Sequence, residues 1–124
     1  MADVNVFGQP LIPCSMKPLT GYFRDGCCNT DETDVGVHTV CIVATEEFLA
    51  FSKSVGNDLS TPLPQWNFAG VKPGDKWCLC AARFLQAHQN HAAPKVVLEA
   101  TNEKTLEIVS MDILLEYAFY SNPS

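Results

Sequence analysis

Hydrophobic and polar positions along this chain change period several times, and each change marks an element. Val37-His-Thr-Val-Cys-Ile-Val-Ala44 is a short run rich in β-branched residues, suited to a buried strand. Thr45 then caps a helix. Glu46 and Glu47 fall in its first turn, where the dipole favours negative charge, and Phe48, Leu49, Phe51, Ser52 and Val55 make the i, i+3, i+4, i+7 stripe. Gly56 stands where such a helix ends. Residues 57–75 are a long connection closed by the Pro73-Gly74-Asp75 turn, and long loops in small domains often carry function. Lys76 to Ala81 reads as a second strand and Ala82 to Gln89 as a second helix. Lys95 to Ala100 reads as a third strand. Leu106 to Val109 reads as a fourth, hairpin-like with the third. Ser110 caps a last helix, Met111 to Phe119, with Ile113, Leu114, Tyr117 and Ala118 on its apolar face.

Residues 1–36 follow neither period. Pro10, Pro13, Pro18, Gly8, Gly21, Gly26 and Gly36 interrupt any regular element, and residues 29–34 are polar throughout. Leu11, Ile12, Leu19, Tyr22 and Phe23 are too apolar for a free tail, so this arm is expected to pack across the body. The pattern predicts an α+β fold, a single domain over residues 1–124. It has a small mixed β-sheet, about three helices and a long irregular N-terminal arm.

A chain of 124 residues buries enough surface to fold without metal or disulfides. The net charge is −6, with 14 acidic and 8 basic residues, and the basic residues are scattered. No stripe of them can neutralise a run of phosphates, which argues against nucleic acid and against an anionic membrane surface. No apolar run is long enough to span a bilayer. The first residues lack a basic stretch followed by an apolar one, so the expected location is cytoplasmic and the six cysteines are expected as reduced thiols.

Those thiols are the chain's chief chemical asset. Cys78 and Cys80 are two apart on a strand and point to one face, where with Cys28 from the arm they can hold zinc. The spacing differs from the paired Cys-x-x-Cys of structural zinc sites, and small buried core residues is the simpler reading. Cys27 and Cys28 follow Arg24-Asp25-Gly26. A turn exposing one of them near Arg24 would make a nucleophile, with His38 as base and Asp25 beside it. His88 and His91 fit a solvated helix end. Glu99 lies in an apolar strand and needs a partner if buried, for which Arg83 is the nearest candidate by topology. Asn57-Asp58 forms a polar elbow that either binds a ligand or caps and turns. Gly-rich phosphate loops, His-Glu-x-x-His and Gly-x-Ser-x-Gly are absent.

The runs Arg24-Asp-Gly-Cys-Cys28, His38-Thr-Val-Cys41, Gly56-Asn-Asp-Leu-Ser-Thr-Pro62, Trp77-Cys-Leu-Cys-Ala81 and Val97-Leu-Glu-Ala-Thr101 resemble a family known as domain of unknown function 2237. The resemblance extends from about Val6 to Tyr117 and implies a stand-alone small domain with no assigned activity. Relatives commonly carry histidine where this chain has Asn102, which keeps Asn102 off the candidate list. The leading expectation is a binding module for a small molecule or protein. Its site combines Arg24, Asp25, Asn57, Asp58, Arg83 and Glu99 with the Cys78/Cys80 strand, and no cofactor is expected. The alternatives are a zinc protein using Cys78, Cys80 and Cys28, and a thiol enzyme using Cys27 or Cys28 with His38.

Overall fold

The computed structural model describes residues 3–66 and 68–119. Three strands, β1 (His38–Val43), β2 (Lys76–Cys80) and β3 (Lys95–Val96), pair antiparallel in the order β2-β1-β3. Three α-helices accompany them among the described residues: α1 (Glu46–Ser54), α2 (Ala81–Gln89) and α3 (Met111–Glu116). The fold class is α+β.

Two expected strands are shorter or absent, for local reasons. After Val96 the Thr101 hydroxyl donates to the Val97 carbonyl and accepts from the Cys41 amide, which turns Leu98–Ala100 into a 3-10 helix. Leu106 to Val109 is no strand. Asn102 accepts from the Lys104 amide and starts a 3-10 helix over Glu103–Glu107, and Thr105 bonds Thr39 through their hydroxyls at 2.7 Å. The third strand therefore pairs with β1, and the chain after α3 returns to bridge Val96 at Ala118. The caps fall as expected: Thr45 accepts from the Phe48 amide, and Ser110 from that of Ile113.

β1 is central and buried along most of its length, which accounts for its near-continuous apolar run. The pleat sends its side chains to two faces. Val40 and Ile42, with Leu79 and Trp77 opposite them on β2, pack against Phe48 and Leu49 of α1, Phe84 and Ala87 of α2, and Leu114 of α3. Cys41 and Cys78 are register partners on the other face, where they meet Cys14, Cys28 and Ala100.

The arm covers this second face. Its polar groups replace the missing neighbour strands: Thr20 accepts from the Cys78 amide at 2.8 Å, Asn5 donates to the Glu99 carbonyl, and the Val6 amide donates to that of Thr101. No described helix is long and apolar enough to cross a membrane.

Candidate functional site

Four segments leave a cleft of about 380 Å³ at the end of β2. The arm contributes Tyr22 and Arg24, the start of β1 contributes His38, the loop after α1 contributes Asn57 and Leu59, and the β2–α2 junction contributes Cys80 and Arg83. Trp77, Cys78 and Leu79 line it along β2.

Each wall has a local cause. Gly21 adopts φ 101°, and a Cβ there would collide with the Cys27 carbonyl, so only glycine lets the arm turn this sharply. Its carbonyl accepts from both the amide and the guanidinium of Arg24. Arg24 itself has φ 55°, and its guanidinium lies 5.2 Å from the centre of the Trp77 ring. Val37, a β-branched residue at φ 51°, occupies a region such residues avoid. Residues held this way cluster at binding and catalytic sites; here they flank the cleft on two sides.

His38 is set by Asp34. The buried carboxylate accepts from the His38 backbone amide at 2.8 Å and meets the ring Nδ1 at 2.7 Å. The Thr30 hydroxyl bonds the same carboxylate. This leaves Nε2 as the working atom of the ring, and Tyr22 stacks over it at 6.1 Å. A break in register between His38 and Val40 makes His38 the cross-strand partner of Cys80. Cys80 is a half-buried free thiol at the residue before α2, whose start no side chain caps. Arg83 donates to the Val55 carbonyl at 3.4 Å and to Gln86 at 3.2 Å. Among the described residues neither Arg24 nor Arg83 has a carboxylate partner.

Next to the cleft, beneath the arm, lies a buried cluster of sulfurs. Disulfides join Cys14 to Cys41 and Cys28 to Cys78, with Cα separations of 5.7 and 5.3 Å. This corrects the expectation of six reduced thiols. The arm turns so tightly over β1 and β2 that its two cysteines meet the cross-strand pair, a long-range closeness that spacing along the chain does not show. In this bonded state Cys28 is buried rather than an exposed nucleophile, and the Cys28–Cys78 bond leaves no thiolate on either residue to act with Cys80. Cys27 keeps its thiol but does not line the cleft, and burial followed by the charge of Asp25 pushes its pKa above the ordinary thiol value.

The other candidates divide. Arg24, His38, Asn57, Cys78, Cys80 and Arg83 meet in the cleft. Asp25 closes its own turn, accepting from the Cys27 amide and from Asn29. Asp58 binds the amides and hydroxyls of Ser60 and Thr61, and these bonds lower its pKa to about 2. Glu99 is exposed, since the 3-10 turn rotates it outward, and it does not pair with Arg83. His88 bonds the Tyr117 hydroxyl at 2.8 Å, and His91 is exposed. Sequence reasoning missed Asp34, Tyr22 and Trp77. Asp34 precedes His38 by four residues inside a polar run, and that spacing was the available signal.

The profile of a family described as "Uncharacterized protein conserved in bacteria" matches residues 4–118. No curated protein matches the chain.

Proposed function

Because the chain belongs to the DUF2237 family, described only as uncharacterized, its function has to be read from the cleft, and we propose a binding module for a small anionic ligand. One observation carries this reading. Two guanidiniums without ion-pair partners among the described residues face one cleft in a protein of net charge −6. Carboxylates and phosphates are the groups that a pair of arginines recognises best. The cleft volume suits a small molecule, and Trp77 and Tyr22 add flat apolar surface. Such a ligand is expected to stabilise the fold by about 3 kcal/mol at a hundred times its Kd. Thermal unfolding against inorganic phosphate, sulfate, mono- and dicarboxylates and sugar phosphates tests this. A saturable rise in Tm that Arg24→Ala with Arg83→Ala abolishes supports it. A flat response across the panel, or a rise that survives both substitutions, contradicts it.

A second reading puts thiol chemistry in the same cleft, at Cys80 rather than Cys27 or Cys28. It is favoured by the Asp34-held imidazole directly across the strand pair from Cys80. His38→Gln should then slow alkylation of Cys80 by roughly tenfold or more at unchanged Tm; an unchanged rate removes this reading. Both readings suit a cytoplasmic protein whose cleft thiol stays reduced. Trapping thiols in intact cells before lysis shows whether the Cys14–Cys41 and Cys28–Cys78 bonds form there.

A further inference from the structure

We propose that the sulfur cluster is the oxidised form of a metal site, and that on reduction Cys14, Cys28, Cys41 and Cys78 together bind one divalent cation of the zinc class. The inference is independent of what the cleft binds. Cys41 and Cys78 are cross-strand partners, so the two disulfides lie side by side. Here the sulfurs of Cys14, Cys28 and Cys78 all lie within 4.8 Å of one another, and Cys41 is bonded to Cys14. A tetrahedral zinc with Zn–S bonds of about 2.3 Å spaces its sulfurs about 3.8 Å apart. Going from one state to the other opens the two bonded pairs and draws the two pairs together. Opening each bonded pair moves its sulfurs by roughly 1 Å, and the Cys41 sulfur, outside the 4.8 Å group, has also to close on the Cys28–Cys78 pair.

The frame for such a site is in place. Two ligands come from adjacent strands in register, Cys41 opposite Cys78, and two from the arm folded over them. All four residues are buried, and the neighbouring Ala100 and Val97 are apolar, so the site is closed as structural zinc sites are. Cys78, at the border of the cleft, is the edge of the cluster nearest to it.

Each disulfide takes up two electrons and two protons to give two thiols: two reductant thiols supply both and leave as their own disulfide, whereas a phosphine supplies the electrons and water supplies the protons and the oxygen of the phosphine oxide. Binding one Zn²⁺ then releases four protons as the thiolates coordinate. The cation is not itself oxidised or reduced.

The full-length chain is reduced with a phosphine under nitrogen, the reductant is removed, and Co²⁺ or Zn²⁺ is added. The expected result is about one metal per chain, with the intense visible bands of a tetrahedral cobalt tetrathiolate. Cys41→Ser and Cys28→Ser should weaken binding at least tenfold and change the spectrum, while Cys27→Ser leaves both unchanged. If the reduced chain is unfolded, Zn²⁺ should restore its circular dichroism. Reduced protein that takes up no cobalt overturns the proposal, as does a reduced, unfolded chain that zinc fails to restore. So does a cobalt spectrum lost in Cys80→Ser and kept in Cys41→Ser.

Discussion

Cys78 and Cys80 are two residues apart on one strand and on one face, yet they belong to different regions of the molecule. Cys78 lies under the arm, bonded to Cys28 in an apolar cluster. Cys80 lies one pleat further along, where the arm has turned away, and faces a cleft of arginines and an oriented histidine. The difference is coverage. The arm closes the face over Cys41 and Cys78 with Cys14 and Cys28, and at Gly21 it swings outward to carry Arg24 over Trp77. The same segment thus closes one site and builds a wall of the other. Chemistry that needs access is left to the thiol the arm does not cover.

This contrast can be broken from either side. The largest effect is expected from the covered region. The Cys28–Cys78 bond closes a separation of 50 residues, for which chain-entropy arguments give about 4 kcal/mol. Cys28→Ser with Cys78→Ser should lower the urea midpoint accordingly under oxidising conditions, whereas Cys27→Ser should cost less than about 0.5 kcal/mol. Asn102 comes next. It is fully buried, donates to the Cys28 carbonyl at 3.0 Å and to Asp3 at 2.7 Å, and accepts from the Lys104 amide. Asn102→Ala should cost about 1–3 kcal/mol by leaving these groups unpaired, and should leave anion binding at the cleft intact, as titration calorimetry would show.

On the open side, Arg24→Gly should change stability by less than about 1 kcal/mol. Relief of the left-handed backbone offsets the lost cation–π contact, while affinity for the anion falls. A drop in both together would mean that Arg24 is structural. The smallest effect concerns Asp58. Its folded pKa of about 2 lies below its ordinary value of 3.8. Its contribution is therefore complete above the ordinary value and is lost as pH falls through that window toward 2. Asp58→Asn should flatten the acid limb of the stability profile there and slightly lower stability near neutrality, where the native contribution is complete, so that the two chains converge only at low pH.

The sequence made the regular elements legible wherever a local signal existed. Thr45 and Ser110 cap the helices they were expected to cap, and β1 is the buried run its β-branched residues imply. It misled where a side chain far along the chain decided the outcome. Thr101 and Thr105 bond back to β1 and convert two apolar runs into 3-10 turns. Arg24, His38, Asn57, Cys80 and Arg83 were each nameable because polar residues at turns and helix ends stand out against packing needs. Their convergence was only partly legible, since Asp25, Asp58 and Glu99 looked equivalent and instead serve their own turns or face solvent. The disulfide partners were not legible at all. Pairing depends on how the arm crosses the sheet, and the hydrogen bonds that fix that crossing join residues as distant in the chain as Asn5 and Glu99.

The division of the cysteines can be measured in one experiment. The native chain, without reductant, is treated with iodoacetamide for increasing times, and labelled peptides are mapped by mass spectrometry. Cys80 should label first, Cys27 more slowly because burial and the charge of Asp25 raise its pKa, and Cys14, Cys28, Cys41 and Cys78 not at all. Rapid label at any of those four, or at Cys27 ahead of Cys80, would contradict the separation of a closed sulfur cluster from an open thiol cleft.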